Sequence, residues 1–183
     1  MNLTKFIIIA LTISTNSFSN EIRNCSSYQE GRIRSAIQDS YLSINKIIDD
    51  IDHTFKTRSG ELSKHVLKKL GKAKYMLKCA EMRTNFLDFD CDAGISEGAF
   101  MQVWPVVGNE VKVNKEYLPK ASYRFLVGSV IHEATHKCGT NDAHYFYQTN
   151  TKPRSKWYSE WHNIASTYDY WSIEGFCIPQ IDC

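Results

Sequence analysis

The sequence predicts one α+β domain: long amphipathic helices, a small antiparallel sheet, an apolar helix ending in a histidine motif, and a C-terminal helix. Three observations predict it. Two long runs repeat apolar residues in steps of three and four. Short β-rich segments follow, punctuated by glycine and proline. Then comes His132-Glu133-Ala134-Thr135-His136.

In the first run, Ile33, Ile37, Tyr41, Ile44, Ile48, Ile51 and Phe55 share one helical face, entered near Ser26 or Ser27. The second face, Leu62, Val66, Leu70, Ala73, Leu77 and Ala80, starts after the Ser59-Gly60 break. Its opposite side carries Lys64, Lys68, Lys69, Lys72 and Lys74, which reads as a solvated surface. Strands are expected at Phe86-Leu87-Asp88-Phe89, Ala99 to Trp104 and Val111-Lys112-Val113, broken by Gly94, Gly98, Pro105 and Gly108-Asn109. Ser122 suits an N-cap for a helix that runs through the histidine motif and stops at Gly139. In the last helix Trp157, Trp161, Ile164, Tyr168 and Trp171 form an aromatic stripe, read as core.

Composition narrows the function classes. The 183 residues are 43% hydrophobic and 23% charged, enough apolar content for one real core. Twenty-two Lys and Arg against twenty Asp and Glu give +2, so charge points to neither nucleic acid nor a membrane surface. Lys5, the apolar run Phe6 to Ile13, and Ser17-Phe18-Ser19 have the layout of a signal peptide cleaved before Asn20. Residues 1–19 are therefore expected to be a signal and 20–183 a single domain, secreted or periplasmic and monomeric. Cys25, Cys79, Cys91, Cys138, Cys177 and Cys183 all follow the signal, and an even number in an exported chain reads as disulfides. Cys138 stands two residues past His136, where a free thiol would compete for metal, so it is expected to be bridged.

On a helix, His132 and His136 project from the same face and can meet one divalent ion. Glu133 lies about 100° round the helix and can reach a water at that ion without being a ligand. Catalytic zinc takes three protein ligands and leaves one position to water. Gly139 permits a sharp reversal that brings either Asp142 or His144 back as the third ligand. The spacing also fits a metzincin-like site, but that class needs a later methionine turn, and no methionine follows His136. His53, His65 and His162 have no partner pattern and read as surface or packing residues.

Gly139-Thr140-Asn141-Asp142-Ala143-His144-Tyr145 after HExxH resembles the GTxDxxY signature of the aspzincin metalloendopeptidases, the deuterolysins and peptidyl-Lys metalloendopeptidases. Asn24-Cys25-Ser26-Ser27, Phe89-Asp90-Cys91 and Ala165 to Trp171 resemble further stretches of that family. The resemblance implies a zincin-like fold and a zinc-dependent endopeptidase acting on protein or peptide. It implies His132, His136 and Asp142 as zinc ligands, Glu133 as the catalytic carboxylate, and Tyr145 as the group that steadies the oxyanion. It also implies a Cys25–Cys91 disulfide. Two departures matter. Phe146 replaces a glycine after the tyrosine, and Ser166 stands where Lys-specific members carry an aspartate, so a lysine preference does not carry over. Two alternatives remain: a zinc amidase acting on cell-wall peptides, and an inactive secreted binding or effector module. Substrate is expected to lie extended along the strand around Val111 and Val113.

Overall fold

The computed structural model describes residues 20–92, 94–104, 107–146, 160–179 and 181–183. The expected signal (1–19), Pro105 and Trp157 lie outside the described residues. Strand β1 (Ile22–Arg23) leads into helices α1 (Ser27–Arg58) and α2 (Lys64–Thr84). Strands β2 (Asp88–Asp90), β3 (Met101–Val103) and β4 (Glu110–Val113) follow, then helices α3 (Tyr123–His136) and α4 (Ala165–Glu174).

Each of the first three helices starts on a serine whose β-region backbone leaves its hydroxyl free to cap. Ser26 and Gln29 make a reciprocal capping box (2.8 and 3.3 Å), while Ser63 and Ser122 accept from Val66 N–H and Phe125 N–H. The apolar faces pack as the periodicity requires. Ile33, Ile37, Ile44, Ile48 and Ile51 of α1 and Leu70, Ala73, Leu77 and Ala80 of α2 are buried. Each fully buried isoleucine or leucine contributes about 1.5–3 kcal/mol by leaving water. The lysine side of α2 is not wholly solvated: Lys69 is buried, 3.8 Å from Glu160, and Lys74 pairs with Asp52 at 2.6 Å.

The sheet is mixed rather than antiparallel, in the order β1-β2-β4-β3. Strands β1 and β2 pair in parallel, as do β2 and β4, and only β3 and β4 are antiparallel. A parallel pair needs a long crossover. The two helices between β1 and β2 provide one, and the chain from β2 passes out through β3 before returning to β4. Cys25–Cys91 joins the segments flanking β1 and β2.

Helix α3 is the centre of the molecule. Every residue from Leu126 to His136 is buried, and the helix packs against α1, α2 and α4. Gly128 allows the closest approach: a Cβ there would meet Ile173 Cδ1 at 2.9 Å, so α4 lies directly on the α3 backbone. The aromatic stripe is core as expected, with Trp161, Tyr168 and Trp171 buried. Its helix begins only at Ala165, however, and Trp161–Asn163 forms a 3₁₀ turn instead.

His162, read from sequence as surface or packing, is 1% exposed and packs within this turn. Neither ring nitrogen makes a hydrogen bond among the described residues, and the Glu160 carboxylate lies 3.4 Å from Nε2. Burial lowers its pKa below the ordinary 6.5; Glu160 opposes this, and Lys72, Lys69 and His65 add to it. The unfolded chain therefore binds the extra proton more readily. Stability from this group is complete above about pH 6.5 and is lost as pH falls below it. Thermal melts at pH 7 and pH 5 are expected to show a smaller drop for His162→Gln than for the wild type.

Candidate active site

The motif helix α3 ends in a turn that reverses the chain. Thr140 N–H donates to the Thr135 carbonyl (3.3 Å) and Gly139 N–H to that of His136 (3.1 Å), the paired bonds of a Schellman motif. Gly139 takes φ 96°, a conformation that a side chain would strain, as the sequence reading required. The returning segment is fastened to the 3₁₀ turn: Asn141 N–H donates to Asn163 O (2.8 Å) and Ala165 N–H to Asn141 O (3.0 Å). On the other side, Cys79–Cys138 ties it to α2, so Cys138 is bridged.

This reversal places Asp142 against both histidines. Its Oδ1 lies 3.0 Å from His132 Nε2 and 3.1 Å from His136 Nε2. The three potential ligand atoms lie within 4.8 Å of one another, the grouping that could hold a metal ion among the described residues. His144, the other candidate from spacing, lies outside that group with its ring 4.7 Å from Phe146. Both histidine rings are fixed from behind. His136 Nδ1 is 3.1 Å from the Thr140 carbonyl, which can only accept, so this nitrogen carries the proton. His132 Nδ1 lies 2.9 Å from Asp169 Oδ2. Rings oriented this way turn both Nε2 atoms toward one carboxylate oxygen, an arrangement that needs a positive charge, either a proton on His132 or a cation among the three.

The electrostatics follow that logic. Burial opposes a charged His132, but Asp142 and Asp169 outweigh it and push its pKa up to about 10. Asp142 loses some solvation, yet His132 and His136 hold its carboxyl well below the usual range. Burial raises the Glu133 pKa, against the pull of His132, His136 and the Val103 backbone N–H. Tyr145 stacks on His132, with ring centroids 5.7 Å apart at 14°. Burial, and then the hydrogen-bonded Asp142 carboxylate, raise its phenol pKa. Phe146 beside it is fully buried, and Tyr145 is stacked on His132 all the same.

The roles that Asp169 and Ser166 play here escaped the sequence reading. Asp169 on α4 holds His132 with one oxygen and accepts from Ser166 Oγ (3.0 Å) with the other. Ser166 in turn accepts from Phe146 N–H at 2.8 Å. One buried chain of hydrogen bonds thus runs from the His132 ring to the backbone beside Tyr145. The available signal was an acid three residues after a serine in a helix rich in aromatic residues. The five sequence-predicted residues, His132, Glu133, His136, Asp142 and Tyr145, all line one cleft of about 540 Å³, and Asp169 lines it too.

No protein-family profile matches the chain, and no curated protein does. Among solved structures, it is similar to a zinc peptidase from Grifola frondosa, with a TM-score of 0.62 and 16% identity. The match covers 82% of this chain and 97% of that one. The chain therefore has the fold of a zinc peptidase, in line with the resemblance read from its motifs.

Ser166→Ala removes the hydroxyl that satisfies Phe146 N–H in a buried place. The expected cost is about 1–3 kcal/mol, read as a lower midpoint in chemical denaturation.

Proposed function

We propose that this chain is an exported zinc endopeptidase that hydrolyses peptide bonds in protein or peptide substrates with water. One observation carries the reading: His132 Nε2, His136 Nε2 and Asp142 Oδ1 converge beside a buried glutamate at the floor of an open cleft. Two imidazole nitrogens and one carboxylate oxygen suit a catalytic zinc ion, which keeps a further position for water. The Asp142 side chain is 44% exposed, so the grouping is open on one side to solvent. Three disulfides, Cys25–Cys91, Cys79–Cys138 and Cys177–Cys183, favour an oxidising compartment. No helix among the described residues is long and apolar enough to cross a membrane.

A bound zinc ion lowers the pKa of water to about 7 and polarises a carbonyl. Around it the protein's own groups divide the remaining work. Glu133 takes a proton from the attacking water and delivers it to the departing amine, and its raised pKa suits both halves of that transfer. The Tyr145 hydroxyl, within reach of Asp142, turns to donate to the oxyanion as it develops. Asp169 and the Thr140 carbonyl keep the imidazoles in the tautomer that leaves Nε2 free.

Substrate position differs from the strand expected by sequence. Val111 and Val113 belong to β4, which is paired on both sides by β2 and β3 and has no edge to offer. Of the two edge strands, β1 and β3, it is β3 that lines the cleft. Asn114 N–H donates to the Phe100 carbonyl, so by alternation Gln102 also faces β4, while Met101 and Val103 turn their backbone groups toward the cleft. We place the substrate extended along that edge.

The purified protein is expected to cleave denatured casein, with loss of activity on chelation and recovery on adding zinc. Glu133→Gln is expected to retain zinc and lose cleavage by at least about a hundredfold. Zinc content separates the two ligand candidates: Asp142→Ala loses the metal, whereas His144→Ala keeps it.

A further inference from the structure

The residues proposed for catalysis occupy only part of the groove. On α3, Phe125, Ser129, His132 and His136 follow one another in steps of four, three and four, so they form one stripe, and all four line the cleft. Phe125 stands about 10 Å before His132 along the helix axis, at 1.5 Å per residue. Beside Phe125 lies a second hollow of about 280 Å³, lined by Gly98, Phe100, Tyr117, Lys120, Ala121 and Phe125. Gly98, Phe100 and Phe125 line both spaces, so the two adjoin.

The hollow is built rather than incidental. Its floor is aromatic, with Phe100 and Phe125 ring centroids 5.2 Å apart. Its outer wall is held rigid. The Arg32 guanidinium donates to the carbonyls of Leu118 (2.7 Å), Pro119 (3.0 Å) and Ala121 (2.7 Å). Asn114 accepts from the Glu116 and Tyr117 backbone amides. Tyr117 is 55% exposed at the lip. Lys120 is exposed as well and has no ion-pair partner among the described residues. A fixed apolar cup with a cation at its rim suits an apolar side chain followed by an acid.

We infer that this hollow is a substrate subsite for an aromatic or large aliphatic residue about three positions C-terminal to the cleaved bond, with Lys120 meeting an acidic side chain on the next residue. The inference rests on the peptidase reading above and deepens it. The position follows from two lengths: 10 Å along α3 equals about three residues of extended chain at 3.3 Å each. The direction follows from β3, which runs from Phe100, beside the hollow, toward Val103, whose backbone N–H reaches Glu133. A substrate paired antiparallel, the more stable arrangement, runs the other way and brings its C-terminal side to the hollow.

The test uses peptides blocked at both ends that differ only at the third residue after the scissile bond (Phe, Leu, Ala or Lys) and at the fourth (Glu or Lys). Cleavage is measured with the wild type, Tyr117→Ala and Lys120→Glu. Binding of the same peptides to zinc-loaded Glu133→Gln, with and without Tyr117→Ala, is measured by calorimetry. The wild type is expected to favour Phe over Lys at the third residue by at least about tenfold in kcat/KM, mostly through KM. Tyr117→Ala should erase most of that preference, and Lys120→Glu should reverse the choice at the fourth residue. Cleavage without discrimination overturns the subsite and leaves the peptidase reading intact, as does a preference that survives Tyr117→Ala. A Phe preference in binding that depends on Tyr117, without any cleavage, supports the subsite and overturns the hydrolytic reading.

Discussion

Two imidazole nitrogens that each lie about 3 Å from one carboxylate oxygen call for a positive charge among them, a proton on His132 or a bound cation, and much of this molecule is arranged to hold the three side chains together. The helix spacing aligns the first two donors. The Gly139 reversal delivers the third, and the Asn141 bridge to the 3₁₀ turn keeps it there. Asp169 and the Thr140 carbonyl grip the rings from the far side, so the imidazoles cannot rotate away from the crowding. A buried polar cluster of this kind keeps one geometry only where the surrounding packing fixes it. Helix α3, buried along eleven consecutive residues, supplies that packing.

The helices and the histidine motif were legible in the sequence because both rest on a single short-range period. Ile33 to Ile51 and Leu70 to Ala80 declare their faces by spacing alone, and Ser26 and Ser122 mark their starts by cap chemistry. The sheet was legible only as a set of strands. Glycine and proline announce breaks between strands but not which strands pair, so the parallel β1–β2 and β2–β4 ladders left no local trace. Strand β1 is two residues long, too short for any alternation to register. The late start of α4 and the burial of Lys69 have the same origin: packing of the Trp161 turn against α2 overrides what a lysine-rich or aromatic periodicity suggests. Asp169 is the instructive omission. Its role depends on a neighbour 37 positions away, and that kind of partnership appears only when α3 and α4 are laid together.

The two ends of the groove are shaped by the same device. Arg32 gathers three carbonyls of the turn at Leu118 to Ala121, and Lys137, one residue past a proposed ligand, donates to the carbonyls of Trp104, Val107 and Gly108. In both cases a cation neutralises backbone acceptors that a short loop has no other means of satisfying. The walls of the groove are thereby set before any chain enters, which lowers the entropy that binding must overcome. Between these fixed walls runs the outer margin of β3, the one strand of the sheet facing the groove with half its backbone groups unclaimed by a neighbour.

Cys79–Cys138 acts on the His132, His136 and Asp142 grouping from outside it. The bridge fastens to α2 the residue just before the Gly139 reversal, leaving the Asn141 contact to hold only the far end. In the glutathione-rich interior of a cell this fastening would be open and Asp142 would swing on one anchor. Assembly of the His132, His136 and Asp142 grouping is thus coupled to the place where sulfur can be oxidised.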